Sequence, residues 1–423
     1  MNFTAVELNE EIAESLYFNT VLLTIYLILG LFGNSLVLYV YTRRMKRTEE
    51  RYFIPVLATA DIFACLAGVI LGLVSNFYRA NYVLETFCKV GYFLTWSTTS
   101  VSGIIILLIA LNRHLMICRP TSPQLTIARK KRAIVAVIVF SVVSSGPMLY
   151  FFGEKNMPFK YKGQNINTTL CSLRFSDGIM FKLQLGYFAL EIILALLNML
   201  ITCGLYIPVG VKIYQRFKLA SHKARLARER QEASTVQTDL PTTVMPHTAR
   251  MDNSEVEEST FSTTMSSVNS SSMDSKTCCI CKKSSKAVIK KDVRDTSIIR
   301  RKKARRKQMK HNFTMMFATI IIFYIMAYLP TLVLLMVSAK NPAEFYFSKS
   351  PAMLNVLVFL QRAFLLNNII NAFIYSYFDL SFRKEAKKLL CCFYNFWNEN
   401  LHTNAFLFYI YLIFSNYVIK NAK

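Results

Sequence analysis

The sequence predicts an all-α membrane protein: a seven-transmembrane helix bundle with a short amphipathic membrane-surface helix after the seventh span. Three observations carry that prediction. The chain of 423 residues is 53% hydrophobic and 13% aromatic, more apolar than a soluble domain requires. Its apolar residues gather into runs of roughly 20, the length that crosses a bilayer core as a helix, and seven such runs centre on Ile28, Ala64, Ile104, Val139, Ile193, Ile322 and Val358. Its formal net charge of +25 falls largely in connections on one side of those runs, as the positive-inside bias requires.

Residues 1–18 carry Glu7, Glu10, Glu11 and Glu14 and no Lys or Arg, which assigns them to an extracellular N-terminus. No basic n-region precedes the first span, so that span is expected to direct insertion itself rather than follow a cleaved signal peptide. Spans one to five occupy 19–216, and the first, third and fifth are followed by "RRMKR", "ARKKR" and "SHKARLARER", all assigned to the cytoplasm. Residues 217–309 are Ser/Thr-rich, flanked by basic runs such as "RRKKARRKQMK", and are expected to be a disordered cytoplasmic loop. Spans six and seven occupy 310–377. In 378–394, Phe378, Phe382, Leu389 and Leu390 alternate with Arg383, Lys384, Lys387 and Lys388 to make the amphipathic helix. Cys391 and Cys392 at its end are candidate palmitoylation sites. The tail, 395–423, carries an apolar segment at 405–419 that is short for an eighth crossing. The expected location is the plasma membrane, with the C-terminus inside.

Several function classes are disfavoured. The basic surface suits anionic lipid and acidic partners, and no nucleic-acid recognition motif accompanies it. The "CCIC" run at 278–281 lacks zinc-ligand spacing and a nearby His. The five histidines, His114, His222, His247, His311 and His402, are scattered along cytoplasmic segments, so no convergent catalytic set is visible. A transporter would show paired repeats with broken helices, and the sequence has no such internal symmetry.

Polar residues inside the spans are costly in lipid and each needs a reason. The first span has Asn34 in "GNSLVLYV", the second Asp61 in "LATADIFA", the third Ser102 and then Asn112, Arg113 and His114, the sixth Tyr328 and Pro330 in "YLP", and the seventh Asn367 and Asn371 in "NNIINAFIY". Their order and spacing resemble the rhodopsin-like (class A) G-protein-coupled receptor family over all seven spans and the helix after them. The resemblance implies a receptor, not an enzyme, that passes an extracellular signal to heterotrimeric G proteins. It implies a disulfide between Cys88 and Cys171, and a sodium pocket of Asp61, Ser102, Asn367 and Asn371, with no other cofactor or metal. It implies that Arg113 presents to the G protein when the sixth helix swings out, with Tyr206 and Tyr375 as switch tyrosines. Arrestin and receptor kinases are implied as partners of the Ser/Thr-rich loop.

The departures from the family pattern are several. Asn112 and His114 flank Arg113 where an acidic residue and Tyr are usual, Tyr328 stands for Trp, Ala372 and Asn198 for Pro, and Val137 for Trp. Lys310, twenty residues before Pro330, offers no carboxylate either. Arg113 is therefore expected to be weakly restrained, with raised basal signalling, unless it merely snorkels or bonds to Asn112. The seventh span has no lysine for a retinal Schiff base, and Thr95 stands where aminergic relatives have Asp. A peptide, most simply a neuropeptide, is the expected ligand, with a lipid or other small molecule as the alternative. Glu191 and Arg362 are candidate ligand contacts beside Thr95. The long second outer loop, tied to the third helix by Cys171, is expected to act as a lid. "NFT" at Asn2 and "NTT" at Asn167 are N-glycosylation acceptors.

Overall fold

The computed structural model describes residues 4–46, 48–236, 295–338 and 342–400. Asn2, the "CCIC" run and the apolar 405–419 segment lie outside them. The chain divides into two compact units, Tyr214–Lys291 and the remainder, and the remainder is the helical bundle.

The N-terminal segment is a helix, α1 (Ala5–Ser15), started by a capping box in which Thr4 and Glu7 bond reciprocally. The first span is α2 (Tyr17–Tyr39), extended by one wide turn through Arg44. A single 3₁₀ turn (Glu49–Arg51) leads into α3 (Phe53–Phe77), followed by α4 (Glu85–Cys118) and α5 (Ile127–Ser145). After Gly146–Pro147 comes one turn, α6 (Met148–Phe151). A hairpin follows, β1 (Phe152–Tyr161) pairing antiparallel with β2 (Gln164–Leu173). Its two-residue turn has φ of +48° at Lys162 and +83° at Gly163, a left-handed pair that glycine adopts freely and that matches strand twist. The remaining helices are α7 (Gly178–Val236), α8 (Asp295–Ser338), α9 (Pro342–Phe347), α10 (Pro351–Gln361), α11 (Phe364–Phe378) and α12 (Leu380–Asn400).

Among the described residues six helices are long and apolar enough to cross a membrane, and α10 with α11, bent by 63°, makes a seventh when the pair is taken as one span. Large apolar side chains such as Phe63, Val143, Leu200 and Met326 are more than half exposed, the inversion expected of a bundle whose solvent is lipid. The core between the helices includes Ile54, Leu57, Ile106, Ile109, Phe317, Ile320 and Tyr375.

Four boundaries differ from expectation. Within the segment expected as a disordered loop, 217–236 and 295–309 are helical continuations of α7 and α8. "KLASHKARLARERQEAS" is rich in strong helix formers and has no Gly or Pro to stop it. Residues 4–18 of the N-terminal segment are ordered because Leu8, Ile12 and Leu16 bury against Phe159, Ile166 and Leu357, a stripe at helical spacing. The seventh span is broken at Arg362–Ala363, where the Leu360 carbonyl accepts from Thr331 Oγ1 at 3.3 Å, a side chain inserted into the helical ladder. Helix α12 runs on to Asn400, past the expected end at 394.

Candidate functional site

The hairpin end of the bundle holds a cavity of about 1100 Å³. Cys88 at the start of α4 is bonded to Cys171 in β2, with Cα atoms 5.6 Å apart. The second strand thus hangs over the bundle, with Leu170, Ser172 and Leu173 in the cavity wall. Tyr92 stacks on Phe152 at 3.7 Å, and backbone bonds between Thr169 and the Ala80–Tyr82 loop hold the other side. The hairpin is a roof anchored on two sides, by side chains on one and by main chain on the other. Helix α1 braces it, since Glu11 accepts from the Tyr161 hydroxyl at 2.6 Å and pairs with Lys162 at 3.1 Å. Those two donors hold the Glu11 carboxyl below its ordinary pKa.

All three candidate ligand contacts line this cavity. Thr95 has a buried hydroxyl with no partner among the described residues. The Glu191 carboxylate accepts from Trp96 Nε1 at 3.1 Å, and Arg362 donates to Asn76 Oδ1 at 2.8 Å. Tyr324 and Tyr328, with ring centres 4.7 Å apart, form the inner wall, one helical turn apart on α8 next to Pro330. Asn198, at the family's proline position, donates to the Tyr324 hydroxyl at 2.7 Å and to the Gly103 carbonyl at 3.3 Å. It joins α4, α7 and α8, a crosslink that proline lacks the donors to make.

Below the cavity, Asp61 is fully buried. It accepts from Ser102 Oγ and from Asn371 Nδ2, each at 2.7 Å. The Asn371 amide oxygen and both amide atoms of Asn367, one turn earlier on α11, are buried without partners among the described residues. A buried carboxylate with unfilled amide oxygens on the adjacent helix suits a hard monovalent cation, so the residues fit the sodium ion that the resemblance implies. Asn34 ties α2 to α11 through the Asn368 carbonyl at 2.7 Å.

At the opposite end Arg113 is 3% exposed, which excludes snorkelling. Nor does Asn112 hold it, since that amide turns to Met116 Sδ at 3.6 Å. The guanidinium instead donates to the Glu50 carbonyl at 2.8 Å and lies over the rings of Phe317 and Phe313, 4.5 and 5.8 Å from their centres. The turn that supplies Glu50 makes further ties. The Glu49 carbonyl accepts from Lys130 Nζ of α5 at 3.4 Å, and Arg51 pairs with Asp379 at 3.3 Å while lying 5.0 Å over Phe313. Asp379 also accepts from the Tyr41 hydroxyl at 2.8 Å and from the Ser381 and Phe382 amides, capping α12. Three consecutive residues, Glu49, Glu50 and Arg51, thus hold α5, α4 and the start of α12, with Phe313 of α8 packed between two guanidiniums. His114 Nδ1 meets the Leu205 carbonyl at 3.0 Å, and Tyr206 donates to the Thr314 carbonyl. The buried Tyr375 and Tyr328 hydroxyls have no partner among the described residues.

Sequence reasoning missed Arg51, Asp379, Phe313, Arg79 and Asn76. Asp379 carried a readable signal, an Asp just ahead of an amphipathic run, which marks an N-cap. The others acquire their role from contacts more than 60 residues away in sequence, and periodicity carries nothing of that. Asn167 stands exposed on β2, Cys391 is half-buried and Cys392 exposed.

A seven-span bundle with a roofed cavity at one end and a buried arginine cluster at the other defines an integral membrane receptor. Residues 33–375 match the 7 transmembrane receptor (rhodopsin family), and the chain belongs to that family, one of signalling receptors rather than enzymes. It is 26% identical over 217 residues to the cholecystokinin receptor type A of Oryctolagus cuniculus, covering 51% of this chain and 49% of that protein. The human cholecystokinin receptor type A is 25% identical over the same length, at 51% and 50%. The probable G-protein coupled receptor 19 of Homo sapiens is 29% identical over 127 residues, 30% of each chain. The chain spans about half the length of the cholecystokinin receptors it matches.

Proposed function

We propose that the chain is a plasma-membrane receptor for an extracellular peptide, with its hairpin end outside and its Arg113 end facing a heterotrimeric G protein. The roofed cavity of about 1100 Å³ carries the reading. Its volume lies at the upper end for ligand pockets, and Leu170, Cys171, Ser172 and Leu173 of the hairpin stand in its wall, which leaves room for the end of a peptide chain. Relatives named for cholecystokinin support the ligand class.

On this reading a ligand that draws Tyr324 and Tyr328 inward moves α8 about Pro330 and lifts Phe313 and Phe317 from Arg113. The Glu49–Arg51 turn serves as the restraint that a neighbouring carboxylate would otherwise supply. A bound sodium ion, held by Asp61, Ser102, Asn367 and Asn371, would neutralise the buried carboxylate. The Ser/Thr-rich segment serves arrestin and receptor kinases, Asn167 carries glycan, and Cys391 and Cys392 carry palmitate that fastens α12 to lipid.

The test is to express the full chain with a promiscuous G protein and screen a neuropeptide library for a second-messenger response. A saturable response to a peptide, lost in Arg113→Ala at equal surface density, is expected. Activation by lipids or small molecules alone, or solute flux without G-protein activation, would overturn the peptide reading.

A further inference from the structure

Among the described residues three charged side chains line the cavity, Arg79, Arg362 and Glu191, and neither cation pairs with the carboxylate. Arg362 is 8% exposed at the break between α10 and α11, and its hydrogen-bond partner is the neutral amide of Asn76. Asn76 is itself fixed from behind by Thr20, to whose hydroxyl it donates at 3.0 Å. Gly72 lies beside the guanidinium, where a Cβ would come to 3.4 Å from Arg362 Nε and 3.1 Å from Leu23. Arg79, partly buried in the loop after α3, lies 4.8 Å over the Tyr346 ring, and Tyr346 lines the same cavity as Arg79 and Arg362. Among the described residues neither joins a salt bridge. Glu191 is held by Trp96 instead.

Two like charges in a low-dielectric wall are costly. A fold gains nothing in stability from lining one cavity with both, yet the loop after α3 and the break between α10 and α11 each supply one, and an amide orients the second. A planar guanidinium fork matches a carboxylate bidentately, and the aromatic wall beside it offers an apolar seat.

We propose that Arg79 and Arg362 form an anion subsite, which takes the carboxylate of a ligand whose body is apolar or aromatic. This rests on the receptor reading above but not on the ligand being a peptide. An acidic side chain or free C-terminus of a peptide and the head of a fatty acid share the chemistry.

The test uses the purified full chain in lipid nanodiscs and two matched probe pairs: acetyl-Tyr-Glu-Phe against acetyl-Tyr-Gln-Phe-amide, and oleate against oleamide. Concentration for half-maximal thermal stabilisation is read for wild type, Arg79→Gln, Arg362→Gln and Arg362→Lys. In wild type the carboxylate of at least one pair is expected to act at a tenfold or lower concentration than its amide. The gap should vanish in Arg79→Gln, which leaves the Asn76 contact intact, and shrink in Arg362→Lys, which keeps charge but loses the fork. If oleate alone shows the gap and neither peptide stabilises, the anion subsite stands and the peptide reading falls. If both peptides stabilise equally and oleate acts no better than oleamide, the peptide reading stands and the subsite falls. Acid and amide indistinguishable in both pairs, or a gap that survives both Arg→Gln changes, would overturn the proposal.

Discussion

Arg113 and Arg362 are both buried, at 3% and 8% exposure, both bonded at 2.8 Å to a neutral acceptor, and both remote from any acidic residue in sequence. Their surroundings differ. Arg113 is closed over by two phenylalanine rings, and the carbonyl it reaches belongs to a turn that is itself pinned to two other elements. Arg362 opens on a cavity that a second cation, Arg79, also lines. A buried charge with its needs met is part of the framework, whereas one left facing a void is set for a partner that is not yet there. The same residue type thus marks a restraint at one end and a receiving site at the other.

The comparison breaks most completely if the two ends are uncoupled from the roof. Cys88→Ser or Cys171→Ser should each abolish surface expression or ligand response, and the double variant should be no worse, since each removes the same bond. Normal response of a single variant would show that the roof stands without its tether. At the other end, Arg113→Ala should lower agonist-stimulated G-protein activation at least tenfold while surface density is unchanged. A matched loss of surface protein would assign Arg113 to folding instead.

The middle of the bundle sharpens the contrast, because Asp61 lies between the two ends. Asp61→Asn should abolish any weakening of agonist affinity by sodium, measured against a matched-ionic-strength control, because an ion that prefers the resting cavity and an agonist oppose each other by linkage. A shift of about fivefold to tenfold in wild type is the expected size, at the low end of the usual scale of such couplings. A wild type indifferent to sodium would remove the ion from the account.

How much of this was legible in the sequence varies with range. Apolar run length and charge asymmetry placed seven spans, and the identities of Asp61, Ser102, Asn371 and Arg113 pointed to the buried polar line that the helices assemble. Three features were not legible. The hairpin follows from a Lys162–Gly163 turn inside a loop whose strand pattern is masked by charged residues. The bend at Arg362 has no proline to announce it and depends on Thr331 reaching across from another helix. The restraint on Arg113 comes from a backbone carbonyl, which no side-chain pattern encodes. The same blindness led to the expectation of a weakly restrained Arg113, and the contact from the Glu49–Arg51 turn was not foreseen.

That turn is the central claim, and basal G-protein activation of Arg51→Gln and Asp379→Asn, at surface density matched to wild type, tests it most directly. Removing the pair that anchors the turn should cost the resting state on the order of 1 kcal/mol, which raises a minor active population about fivefold. Each variant is predicted to raise basal activity several-fold, the double variant no further than either single one. Adding Asn112→Asp, which gives Arg113 a carboxylate of its own, should bring the activity back down. Basal activity that stays at the wild-type level in both Arg51→Gln and Asp379→Asn would show that Arg113 is not restrained through this turn.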